Sequence, residues 1–115
     1  MFRTLLASTA LLLSAFSAQA DGFKFIALGD SPYGVPAEVN PSFEALIKTI
    51  NDRSPAFSVH IGDTKSGSTL CDNAMLDQQL KFMNMFASAM LYTPGDNEWT
   101  DCHREKAGKF NPLER

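Results

Sequence analysis

Three apolar runs in this chain each stop at a Gly-Asp dipeptide: FKFIALGD, AFSVHIGD and AMLYTPGD. The aspartates are Asp30, Asp63 and Asp96, so the motif recurs every 33 residues. A short β-rich run bounded by turn residues reads as a strand, and one with so few polar positions reads as a strand largely buried on both faces. The strands fall at Phe23–Leu28, Ala56–Ile61 and Ala89–Thr93.

The segments between them carry a helical period. Asn40 can cap the first helix, with Pro41 at its first position, and Phe43, Leu46, Ile47 and Ile50 recur at i, i+3, i+4 and i+7. Asp72 can cap the second. There Leu76, Leu80, Met83 and Ala87 lie along one face, widened by Phe82 and Phe86, a stripe that suits core packing. The fold class is therefore α/β, in the order β-α-β-α-β, with a parallel sheet and right-handed crossovers. A 33-residue period can also mark a solenoid, but these helices share no sequence pattern and each unit opens on a strand. Three strands and two helices also leave the sheet edges and one face poorly covered, whereas parallel sheets normally bury both faces.

Residues 1–20, MFRTLLASTALLLSAFSAQA, have a basic start, an apolar stretch and an Ala-x-Ala ending, the pattern of a cleaved secretory signal peptide. That stretch is too short for a stable membrane span, and no other stretch could form one. The expectation is export, to a periplasmic or extracellular location, of one domain over residues 21–115. The whole chain has 10 basic and 13 acidic side chains; without Arg3 the exported part has 9 and 13, a net charge of −4. With no basic stripe, nucleic acid is not an expected partner. Cys71 and Cys102 are the only cysteines, and export favours a disulfide between them over two free thiols. Their spacing fits no zinc-finger pattern.

In a parallel α/β sheet, ligands sit beyond the carboxyl ends of the strands. All three Gly-Asp turns fall there, which predicts three carboxylates facing one mouth. Such a cluster calls for a hard cation: magnesium, manganese or calcium suit oxygen ligands, and carboxylates also join mixed iron or zinc sites. The preceding glycines, Gly29, Gly62 and Gly95, permit sharp turns and close approach to a ligand.

GDSPYG, GDTKSG and PGDNEW resemble, in order and placement, the first three motifs of the calcineurin-like metallophosphoesterases. The resemblance covers nearly all of residues 21–115. It implies the N-terminal half of that family's α/β sandwich, and a centre of two divalent metals (manganese, iron, zinc or magnesium) that hydrolyses phosphate esters, small molecules or phosphorylated substrates. Carried over, Asp30 is a ligand of the first metal and Asp63 bridges the two. Asp96 replaces an asparagine ligand, and Asn97 takes the place of a histidine that assists the leaving group. Pro32 stands where one form of the first motif has a histidine. The family's later histidine motifs have no counterpart here, so the expectation is an incomplete N-terminal piece, whose literal product could be a non-catalytic remnant.

Several other polar residues have two readings. Lys65 and Ser66 follow Asp63 and could contact phosphate, or stand as exposed loop residues. His103 lies in a loop near the mouth as a candidate for metal or substrate. His60 reads as a hydrogen-bonded structural histidine, and Asp101 as a surface charge. Tyr33 and Trp99 could flank a substrate, with packing over the third loop the alternative for Trp99. ALGDSPYG also resembles the Gly-Asp-Ser block of the GDS-type (SGNH) serine esterases. That resemblance makes Ser31 a nucleophile, Gly62 an oxyanion-hole donor and Asn97 part of a third block. It lacks the Asp-x-x-His that would activate the serine.

Overall fold

The computed structural model describes residues 22–114. The segment read as a signal peptide, residues 1–20, lies outside them. Three parallel strands, β1 (Phe25–Leu28), β2 (Phe57–His60) and β3 (Ala89–Tyr92), form a sheet in the order β1-β2-β3. Helix α1 (Pro36–Asp52) joins the first pair and α2 (Asn73–Met83) the second. The expected α/β class and β-α-β-α-β order are thus present. Two short 3-10 turns follow β3, at Thr100–His103 and Glu105–Ala107. No helix among the described residues is long and apolar enough to cross a membrane.

A sheet in which each strand lies beside the next, wound with one hand, receives both helices on the same face. The core agrees: Phe43, Ile47 and Ile50 of α1 meet Phe82 and Phe86, with Ile26, Leu28 and Met90 packed against them from the sheet. The Phe43 and Phe82 rings meet edge to face at 5.0 Å, a favoured aromatic geometry. Asn51, near the end of α1, holds the connection into β3 by donating to the Met85 carbonyl and accepting from the Ala87 N–H, each at 2.8 Å.

The strands are therefore buried on one face, not two. Phe25 is 53% exposed and Leu91 55% exposed on the face that carries no helix. There Phe23, Phe25 and Phe57 cluster, and the last two rings stack at 5.2 Å. Expectations about the helices also change. Helix α1 begins at Pro36, with Pro in its first turn, and takes in Pro41. Proline's fixed φ and missing N–H suit that first turn. In α2, the Asp72 carboxylate accepts from the Met75 N–H at 2.8 Å, as a cap should. The buried side of α2 is set by Phe82, the one aromatic residue within the helix, which meets Phe43; Leu76 and Leu80 are turned to the outer side and are 37% and 59% exposed. Ala87 lies past the helix end.

Cys71 and Cys102 form a disulfide, with Cα atoms 5.6 Å apart. It makes a second small core with Ala107, against which Phe110 packs. The Cys71 N–H donates to the Ala107 carbonyl at 3.0 Å, and the Phe110 N–H to the Cys102 carbonyl at 2.8 Å. The bridge thus ties the approach to α2 to the segment beyond β3, as the sequence predicts.

Candidate functional site

The three Gly-Asp turns sit just beyond the carboxyl ends of β1, β2 and β3. Asp30 and Asp63 adopt nearly the same left-handed backbone, with φ of 54° and 56°. For a residue with a side chain that conformation is costly, and it recurs at functional loops. The Asp30 N–H donates to the Gly62 carbonyl at 3.1 Å, extending the β1–β2 ladder into the turns.

The sheet register explains how the aspartates are placed. Phe25 pairs with Phe57 and Phe57 with Ala89, a repeat of 32 residues, whereas the aspartates recur every 33. Each successive aspartate therefore lies one residue further past the sheet than the one before. Asp30 is two residues beyond Leu28, Asp63 three beyond its register partner His60, and Asp96 four beyond Tyr92. The carboxylates share one end of the sheet but are staggered, not drawn up in a row. Among the described residues, no group of three or more His, Cys, Asp or Glu side chains is arranged to hold a metal ion. The set fits a hard cation in kind, since every donor is oxygen and the charges of Asp96 and Asp30 both act on Asp63.

Asp63 stands at the centre. Its carboxyl is held above its ordinary pKa, first by partial burial and then by the charges of Asp96, Glu98 and Asp30; the Asn97 N–H opposes them. That N–H donates to Asp63 Oδ1 at 3.3 Å. The third turn can come this close only because Gly95 lacks a side chain: a Cβ there would fall 2.9 Å from the Asp63 carboxyl carbon. Gly62, at φ 93°, packs against Gly95 in the same way. Asn97 also donates through its side-chain amide to the Tyr33 hydroxyl at 2.8 Å, joining the first turn to the third. Burial, with Asp63 and Asp30 nearby, pushes the Tyr33 phenol up to about 12, although its bond with Asn97 acts the other way. Both sulfurs of the disulfide lie 3.8–3.9 Å from the Asn97 carbonyl; disulfide sulfur has no proton to donate, so this is packing. Asn97 is thus fixed from both sides.

The sequence reading gave Glu98 no role. The side chain is buried and accepts three hydrogen bonds, from the Tyr92 hydroxyl at 2.6 Å, the Gly95 N–H at 3.0 Å and the Thr64 N–H at 3.2 Å. It clamps the second turn to the third. The available signal was local: an acidic residue three positions after Gly95 can accept that glycine's N–H.

His60 is fully buried. Its Nδ1 accepts from the Gly62 N–H at 3.2 Å, so Nε2 carries the proton and donates to the Ser31 carbonyl, also at 3.2 Å. Burial holds the ring below its ordinary pKa. The imidazole is a brace between the first and second turns. It gives Ser31 no base, for it meets the serine's carbonyl, while Ser31 Oγ bonds to the Gly29 carbonyl at 3.1 Å.

Lys65 is only 3% exposed, not a loose loop residue. Its ammonium donates to the Ser66 carbonyl at 3.0 Å, and burial lowers its pKa against the pull of Glu98 and Asp101. His103 lies in the 3-10 turn with Nδ1 2.6 Å from the Thr100 carbonyl, and joins no carboxylate of the mouth among the described residues. Asp101 is buried and paired with Arg104 at 2.6 Å, so it is not a surface charge. Trp99 packs over the chain beyond β3, its indole N–H donating to the Pro112 carbonyl at 2.9 Å.

No protein-family model matches the chain, and neither a curated protein nor a solved structure matches it.

Proposed function

We propose that the chain is a phosphoesterase-type domain that binds divalent cations at Asp30, Asp63 and Asp96 and acts on phosphate esters. The observation that carries this reading is Asp63, whose carboxyl is held up by burial and by three neighbouring acids at the carboxyl end of a parallel sheet. Bound cations would relieve that repulsion and supply an activated water with charge stabilisation for the phosphoryl group. The chain's own residues have separate tasks. Asn97 presents an amide held by Tyr33 to an incoming phosphoryl oxygen, and it can donate a hydrogen bond but not a proton. Glu98 and His60 keep the turns in place. Lys65 and His103 remain candidate contacts to the ester. The disulfide suits an oxidising compartment, which accords with export to the periplasm or beyond.

The test is calorimetric titration with Mn²⁺, followed by hydrolysis of p-nitrophenyl phosphate with and without EDTA. Saturable Mn²⁺ binding that weakens roughly tenfold or more in Asp63→Asn is expected. Equal binding by both proteins, or none by either, would remove the reading.

A further inference from the structure

Tyr33 enters the mouth from the first turn, and its hydroxyl has two side-chain partners. It accepts from the Asn97 amide at 2.8 Å, and the Asp63 carboxylate is the other. A phenol carries one proton. Asn97 Nδ2 only donates and an ionised carboxylate only accepts, so that proton goes to Asp63. The Asn97 N–H reaches Asp63 Oδ1 at 3.3 Å. Tyr33, Asn97 and Asp63 thus close a triangle that ties the three turns together.

The triangle governs the approach to Asp63. Oδ1 lies against the third turn, where a Cβ on Gly95 would overlap it and where the Asn97 N–H already bonds. The Tyr33 hydroxyl comes to the carboxylate from the first turn, close enough for both Asp63 and Asp30 to make it hold its proton. Among the described residues no Lys, Arg or His lies within ion-pair distance of Asp63. The positive ends of two dipoles, the Asn97 N–H and the Tyr33 O–H, therefore stand where a counter-charge is wanted. A cation arriving between Asp63 and Asp30 meets the O–H at its positive end and repels it, so the two compete. Turning the hydroxyl away uncovers little apolar surface, because Tyr33 is already 38% exposed.

We infer that Tyr33 is a latch on the aspartate mouth: its hydroxyl holds Asp63 in the cation-free chain and is displaced when a divalent cation takes that place. The inference rests on the cation reading proposed above and adds a regulation to it. The latch sets cation affinity below what the carboxylates alone would give, and a hydrogen bond to a charged acceptor is strong enough for a several-fold effect.

The test is calorimetric titration of Mn²⁺ into the full chain, Tyr33→Phe and Asp63→Asn. Tyr33→Phe keeps the ring, loses the hydroxyl and should bind Mn²⁺ roughly threefold or more tightly than the native chain. If the native chain binds and Asp63→Asn weakens it, equal or weaker binding by Tyr33→Phe overturns the latch and leaves the cation reading standing. Binding by Tyr33→Phe alone supports the latch. No binding by any of the three, or equal binding by Asp63→Asn, overturns both. A second readout uses Tyr92→Phe, in which Tyr33 is the one remaining tyrosine. Saturating Mn²⁺ should shift its ultraviolet absorption to the blue, as the phenol gives up a carboxylate acceptor. No shift, or a shift to the red, overturns the proposal. Should Tyr33→Phe not fold by circular dichroism, that spectrum decides.

Discussion

The Tyr92 hydroxyl donates to Glu98 Oε1 at 2.6 Å, linking the last residue of β3 to a carboxylate that also holds Gly95 and Thr64. One buried acid therefore sets the position of two of the three turns. Glu98→Ala should cost about 3 kcal/mol or more, since it strands three donors. Tyr92→Phe, which removes one charge-assisted bond, should cost about 1.5–3 kcal/mol. Urea unfolding curves of the two variants would check the order, with Glu98→Ala the less stable.

Gly95 allows the third turn to lie against Asp63, with no room for a methyl group. Gly95→Ala should push the two turns apart, break the bond from the Asn97 N–H to Asp63, and destabilise the fold by about 1–3 kcal/mol through overpacking. On the proposed function it should also weaken Mn²⁺ binding without removing a carboxylate. Calorimetry on the folded variant measures that effect.

His60 gives stability a pH dependence with a definite sign. Its folded pKa lies below the ordinary 6.5, with burial as the cause. As pH falls through about 6.5 the unfolded chain takes up a proton that the folded chain refuses, so stability drops until the folded pKa is passed. Asp63, whose folded pKa is raised, acts in the opposite sense at lower pH: the folded chain binds its proton more readily, so this carboxyl adds stability as it protonates. Urea midpoints between about pH 5 and 7 should fall with acidity in the native chain and vary less in His60→Gln, which lacks the titrating ring.

The disulfide closes a loop across 31 positions that includes α2 and β3. Replacing both cysteines by serine should cost about 3–4 kcal/mol in the chain-entropy view. The native chain in dithiothreitol should approach the stability of the double variant, and denaturation with and without the reductant would show it.

The strands, the two helices and the cysteine pairing were legible in the sequence because each rests on a local pattern or on the only partner available. The entry to α1 was not, because Asn40-Pro41 and Pro36 both make acceptable helix starts and only the packed chain chooses the earlier. The face that α2 buries differs from its apolar stripe for a tertiary reason. Leu76 and Leu80 keep the helical period, but Phe82 has a partner in Phe43 and wins the core. At the site, the strand-end position of the three aspartates is visible in the motif, where each apolar run stops at Gly-Asp. Their stagger was hidden, since it comes from the difference between the 33-residue motif and a 32-residue register that only pairing reveals. Glu98 carries no signal of its burial in the sequence, and Asp101 reads there as a surface charge, because burial of an acid depends on donors, Tyr92 and Arg104 among them, that come together in space.

The strand order carries a consequence for assembly. Each strand finds its neighbour one helix away along the chain, so no strand has to be threaded between two that are already joined. The sheet can grow outward from its N-terminal edge as residues emerge: β1 and β2 join beneath α1, and β3 is added later. Every intermediate of that sequence presents a fresh bare rim to the next strand, and with it an opening for a second copy of the chain. Among the described residues β3 keeps such a rim in the finished sheet, since the Cys71–Cys102 bridge joins segments outside the strands and leaves that edge uncovered.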